Sequence, residues 1–209
     1  MKQTTTTPRP LLIALTGGIG SGKSVVSDTL RAMGYDVYDC DHQAHRLMNE
    51  SLPIKSQISS LFGNDCLLPD GTVDRRHLSE IVFADAEKLE SLNHIVHTAV
   101  RDHLREWHAV RTDICFVETA ILYQSNLDLM VDAVWEITAP RELRILRVMK
   151  RNGLTAQQVE ARIAVQDNYV APRRHAHVSI IVNDGTTPVL PQVEKLLRTA
   201  GPQSPADAC

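Results

Sequence analysis

Short apolar runs of five to eight residues alternate along the chain with stretches whose apolar positions recur every three or four residues. These two periods separate strands from helices. The runs LLIALT (11–16), YDVYD (35–39), DICFVE (113–118), VDAVWEIT (131–138) and VSIIVN (178–183) predict strands. SGKSVVSDTLRAM, PRELRILRVMKR and PVLPQVEKLLRT predict helices between or after them. Such alternation implies an α/β fold with a parallel sheet covered on both faces. Residues 42 to 111 break the pattern: they hold no convincing strand, and Leu89, Leu92, Val96, Ala99, His103 and Trp107 follow helical steps. That spacing predicts one long amphipathic helix within a helical insertion between two sheet strands. The ends, TTTTPRP and GPQSPADAC, are polar and contain proline, so both are expected to be flexible tails.

Composition narrows the class. With 43% hydrophobic and 22% charged residues over 209 positions, the chain can build one substantial core. A formal net charge of −3 argues against general attraction to nucleic acid or an anionic membrane, so any phosphate must be met by a local basic cluster. No apolar run approaches the roughly 20 residues of a membrane span, and no signal-peptide core follows the first charges. A cytoplasmic protein, monomeric or weakly homo-oligomeric, is expected. Cys40, Cys66, Cys115 and Cys209 are scattered without CxxC spacing, which fits unpaired thiols in a reducing compartment and places Cys115 in the core.

The strongest chemical signal is GGIGSGKS, residues 17–24, between a predicted strand and a predicted helix. It satisfies G-x-x-x-x-G-K-[ST], whose glycines let successive backbone N–H groups face phosphate oxygens beside a helix N-terminus. Lys23 would reach the β- and γ-phosphates, and the Ser24 hydroxyl would meet Mg²⁺. Chance alone would produce this spelling in about one chain in a hundred of this size, before any demand on its flanks. Nucleotide binding follows, but the reaction does not. No N-K-x-D follows the later strands, which disfavours GTP-type recognition.

Phosphoryl transfer needs cations around the moving group. Arg141, Arg144, Arg147, Lys150, Arg151 and Arg162 lie in one basic region, with Arg144, Arg147 and Arg151 spaced for one helix face. That face is either solvated or folded over a triphosphate. Glu118 closes a strand where ligands of open α/β sheets collect, and could hold a Mg²⁺-bound water. His94, His97, His103 and His108 lack the carboxylate or cysteine partners that a zinc site requires. In YDVYDCDHQAHR, Asp39 and Asp41 would share one face of an extended strand. Alternatively, Asp39 ends the strand and Asp41 caps a helix beginning at His42.

ALTGGIGSGKS, DCDHQAHR, the LFGNDCLLPDGTVDRRHLSEIVF series, VETAILYQSNLDLMVD, RVMKRNGLT, IAVQ and IIVND occur in an order that resembles the dephospho-CoA kinase family over about residues 11–199. The resemblance implies a three-layer P-loop NTPase with a five-stranded parallel sheet. Its expected parts are a nucleotide-binding core (11–41, 112–140 and 167–199), a helical CoA-substrate domain (42–111), a small lid (141–166) and tails at 1–10 and 200–209. It also implies ATP-dependent phosphorylation of the ribose 3′-hydroxyl of dephospho-CoA, with Mg²⁺. Asp41 then takes the place of the catalytic base, aided by Lys23 and Arg147. Gly20, Ser21, Gly22, Lys23, Ser24, Val25, Arg147, Arg151 and Asn183 would surround ATP, with Asp184 close by and Arg144 a weaker match. Asp39, Asp41, His42, Arg46, Arg75, His77 and Glu118 would meet dephospho-CoA, with Arg76 beside them. Val25, Thr98, Gln124 and His177 depart from the family pattern, Thr98 standing where proline is usual.

Overall fold

All five predicted strands form: β1 (Leu12–Thr16), β2 (Val37–Asp39), β3 (Cys115–Glu118), β4 (Ala133–Thr138) and β5 (Val178–Val182). They lie in the order β2-β3-β1-β4-β5 in one parallel sheet. The computed structural model describes residues 9–168 and 174–200, so residues 1–8 and 201–209 of the expected tails lie outside the described residues. By its internal contacts the chain divides into two units, 39–110 and the remainder.

In the sheet-bearing unit β1 is central, pairing in parallel with β3 (Leu12 opposite Cys115) and β4 (Ile13 opposite Ala133). Burial on both faces explains why LIALT is unbroken by polar alternation and is buried throughout. Ile13 and Leu15 pack with Val26 and Leu30 of α1 (Lys23–Ala32), Phe116, Trp135, Ile137, Ile181 and Val193 of α8 (Val189–Ala200). Phe116 sits between Tyr35, at 5.7 Å and edge-on, and Trp135, at 5.1 Å between ring centres. Each large side chain so buried contributes roughly 1.5–3 kcal/mol against exposure. α1 stops because Gly34 takes φ +91° and the Tyr35 N–H turns back to the Leu30 carbonyl at 3.0 Å. Two further helices, α6 (Arg141–Asn152) and α7 (Ala156–Asp167), form a hairpin with its own core of Val148, Val159 and Ile163. Thr155 and Gln158 close α7 with a reciprocal capping box. Arg9, inside the expected tail, pairs with Asp132.

The other unit holds α2 (Cys40–Glu50), α3 (Leu52–Phe62), α4 (Arg75–Phe83) and α5 (Ala86–Ala109). Aspartate opens three of them: Asp39 accepts from the His42 N–H, Asp74 from Arg76 and His77, and Asp85 from Glu87 and Lys88. The expectation of Asp41 as a cap before His42 is therefore corrected. β2 ends at Asp39, which is itself the cap, and Asp41 stands in the first turn of α2. The two carboxylates share no strand face. α5 runs unbroken through Thr98, because threonine retains the N–H that proline would remove. Ile54, Ile58, Cys66, Val73, Leu78, Val82 and Ile95 form this unit's core. α5 buries a broader face than its predicted stripe, with Ile95, Val100 and Leu104 more deeply covered than Leu92 or Val96.

Candidate active site

The chain leaves β1 into the glycine loop, residues 17–22, and enters helix at Lys23. Four loop carbonyls accept side-chain donors. Lys23 Nζ bonds the Gly17 oxygen at 2.9 Å, and Arg144 Nε bonds that of Ile19 at 2.9 Å. Arg147 Nη1 reaches the oxygens of Gly20 and Ser21 at 3.3 and 3.4 Å, and Asn183 Nδ2 donates to Ser21 at 3.0 Å. The Ile19 and Ser21 N–H groups are taken by Gln166 and the Gly18 carbonyl, so an anion at the loop would be met by its other amides. No side chain caps α1 and its first turn holds no carboxylate, so the positive end of the helix dipole is uncompensated. The Ser21 hydroxyl is buried without a hydrogen-bond partner, a polar orphan inside the loop. Gly20 is required on two counts: its φ is +78°, and a Cβ there would lie 2.5 Å from the Arg144 carbonyl oxygen.

A cavity of about 400 Å³ opens beside the loop. Its walls include Thr16, Gly17, Gln124, Glu136, Gln166 and Arg174, with Glu136 and Arg174 ion-paired. The volume is that of a small-molecule site. Asn183, buried at the end of β5, receives Arg147 Nη2 at 3.2 Å. Asp184 fixes the next turn, and the backbone N–H groups of Thr187 and then Thr186 hold its carboxyl far below the usual range.

The basic helix divides unevenly. Arg144 and Arg147 meet the loop, whereas Arg151, in the last turn, donates to the neighbouring Asn152 at 2.9 Å and is exposed. Ser24 and Val25 are exposed at the start of α1. Glu118 is half-buried at the end of β3, in register with Leu15. Gln124, a departure from the family pattern, faces the cavity, and His177 contributes its carbonyl to the Val134 N–H at 2.8 Å. The sequence reading missed Gln166, although IAVQ contains it. Its side-chain oxygen accepts from the Ile19 N–H at 2.7 Å and its amide donates to the Ala120 carbonyl at 3.2 Å.

In the helical unit Asp41 and His42 are exposed, the latter giving its backbone N–H to Asp39 at 2.9 Å. Arg46 is committed within the unit, to Gln43 at 2.8 Å, Glu50 at 3.1 Å and His103 Nε2 at 2.9 Å. Burial, and then the charge of Arg46, lower the His103 pKa. Arg75 lies 2.9 Å from His45 Nε2, Arg76 pairs with Glu80, and His77 is half-buried with its N–H on Asp74 at 3.0 Å.

The central parallel sheet and the glycine loop feeding a helix define a nucleotide-binding protein of the P-loop kinase class. The family model described as dephospho-CoA kinase matches residues 11–188. A relative called dephospho-CoA kinase in Shouchella clausii is 37% identical over 83% of this chain and 90% of its own length. A solved Thermus thermophilus structure is 32% identical with a TM-score of 0.73, covering 92% of this chain and 96% of that one. The solved dephospho-CoA kinase of Campylobacter jejuni shares the fold at a TM-score of 0.64 and 23% identity, covering 90% of this chain and 95% of that one. The chain belongs to the dephospho-CoA kinase family.

Proposed function

We propose that this chain transfers the γ-phosphoryl group of ATP to the ribose 3′-hydroxyl of dephospho-CoA, giving CoA and ADP, with Asp41 as the base. The observation that carries the reading is the glycine loop whose carbonyls are engaged by Lys23, Arg144, Arg147 and Asn183 and which runs into the uncapped N-terminus of α1, where a polyphosphate is favoured. Lys23 and Arg147 stand on that loop as the cations for the transferring group, and Asn183 borders the nucleotide. Arg151 is assigned to the ATP side more weakly, since its guanidinium is directed to Asn152.

The two aspartates divide their work. Asp39 is occupied as a helix cap, so its contribution is to hold the first turn of α2, while Asp41 is exposed in that turn. Asp41 takes the hydroxyl proton as the 3′-oxygen bonds to the γ-phosphorus, the bond from that phosphorus to the bridging oxygen breaks, and ADP leaves with the electron pair. His42, Arg46, Arg75, His77 and Glu118 are assigned to the dephospho-CoA side in the 42–111 domain and at the end of β3. Because Arg46 already anchors α2 to α5 through His103, its effect on substrate is through the shape of that unit.

The donor set fits a cation delivered with the nucleotide. Ser24 offers an exposed hydroxyl, and among the described residues no group of three or more His, Cys, Asp or Glu could hold a metal ion. Mg²⁺ suits such a site, since it keeps waters and phosphate oxygens rather than entering a protein cage. When bound it supplies charge neutralisation on the β- and γ-oxygens. Among the described residues no helix is long and apolar enough to cross a membrane. A soluble, cytoplasmic enzyme acting on a small molecule, without nucleic acid and as a monomer or weak oligomer, is the accompanying reading.

A coupled ADP-release assay with dephospho-CoA, adenosine, AMP and shikimate tests the acceptor, and turnover with dephospho-CoA alone is expected. Asp41→Asn should cut turnover about a hundred to ten thousandfold while nucleotide binding is retained. Near wild-type turnover in that variant would remove Asp41 from the mechanism.

A further inference from the structure

Ile19 is held in three ways by the helical hairpin. Its N–H donates to Gln166 Oε1 at 2.7 Å, its carbonyl accepts from Arg144 Nε at 2.9 Å, and its side chain packs on Val148, Val159 and Ile163. The two helices also close a ring around it. Arg144 Nη2 lies 3.7 Å from Asp167, the residue after Gln166, and Arg141 lies 3.6 Å from the same carboxylate. The far end of the Gln166 amide reaches the Ala120 carbonyl at 3.2 Å, in the segment after β3. An amide serves both partners at once, whereas an ionised glutamate has no donor and a lysine has no acceptor.

We propose that Gln166 is a positioning residue for the phosphate loop, and that Ile19 is the joint through which nucleotide binding is transmitted to the α6–α7 hairpin. The first limb of the loop cannot shift without displacing a polar contact on each side of Ile19 and opening the hairpin core around its side chain. Packed elements of this kind move as bodies rather than deforming continuously. The Ile19 amide, being taken by Gln166, lies outside the phosphate cradle. Its role is to set where the following amides stand. This inference rests on the nucleotide-binding part of the proposed function and is independent of the acceptor.

The test uses the full chain and reads nucleotide binding directly, with a fluorescent ADP analogue, alongside the KM for ATP and for dephospho-CoA. Hydrogen exchange is followed for residues 17–24 and 156–167 with and without ADP. In the wild type, ADP should slow exchange in both segments. Gln166→Met matches the length of the side chain but lacks both hydrogen bonds. It should raise the KM for ATP by about tenfold, as expected for the loss of two half-buried hydrogen bonds. The KM for dephospho-CoA should stay the same, and ADP should protect only the loop. Gln166→Glu keeps the acceptor for Ile19 and should recover most of the affinity. Should Gln166→Met fold poorly, Ile19→Ala, which empties the hairpin contact, should uncouple the two segments in the same way. Wild-type KM values with joint protection in Gln166→Met would overturn the inference. So would parallel loss of affinity for both substrates with a lowered melting temperature, which marks a merely structural residue. If the wild type fails to bind ADP at all, the nucleotide reading itself fails.

Discussion

Replacing Gly20 by alanine tests the packing of the phosphate loop against α6, with Gly34→Ala as its control. Both glycines have positive φ, +78° and +91°, so both variants carry the left-handed penalty of about 1–2 kcal/mol. They differ in surroundings. A Cβ at Gly34 meets nothing within 4 Å, whereas one at Gly20 would lie 2.5 Å from the Arg144 carbonyl oxygen and 2.9 Å from its Cα. Those atoms are helix backbone and cannot rotate away, so loop and helix must separate at a further cost of about 1–3 kcal/mol, typical of overpacking. Gly34→Ala is thus expected to lose about 1–2 kcal/mol with an unchanged KM for ATP. Gly20→Ala is expected to lose about 2–5 kcal/mol in all and to bind ATP poorly, because Arg144 and Arg147 leave their carbonyl partners. Urea unfolding gives the stabilities, and ADP release at varied ATP gives the KM. Equal stability and equal KM in the two variants would refute the packing argument.

Two further outcomes follow from the titrating groups. Burial and neighbouring positive charge lower the pKa of His97 (with Arg101 and His94) and of His103 (with Arg46) from 6.5, so the unfolded chain binds protons first as pH falls. Stability should be fully present above about pH 6.5 and decline through the lowered folded-state values. Thermal melting between pH 7.5 and 5.5 should show that decline, flattened in His97→Gln/His103→Gln, and a flat wild-type profile would contradict it. Burial pushes the Cys115 thiol up to about 11. Mass mapping after maleimide treatment at pH 8 should therefore find Cys115 unmodified in the native protein and labelled in urea; native labelling would contradict its burial.

Much of the fold was legible because it is written in local periods. Unbroken LIALT announced a strand buried on both faces, and GGIGSGKS announced an anion site because one continuous segment supplies all of its amides. The acidic pair was less legible. Alternation predicted a shared face, but Asp39 accepts the His42 N–H, which ends the strand two residues before Asp41. A capping aspartate and a chemical one have the same spelling. Arg144, Arg147 and Arg151 likewise share a helical spacing, and only packing shows that the first two reach the loop while Arg151, one turn later, turns to Asn152.

By itself, the sequence determined the five strands, α1, α5, α6 and α8, the parallel sheet, the phosphate loop and the family, since each depends on residues near one another in the chain or on their order along it. Tertiary structure decided what residues distant in sequence do together. Gln166 meets Ile19 across 147 positions, Asn183 meets Ser21 across 162, and Arg46 is committed to His103 across 57. A hydrogen bond is specific to distance and direction, and neither quantity exists until the helices have packed.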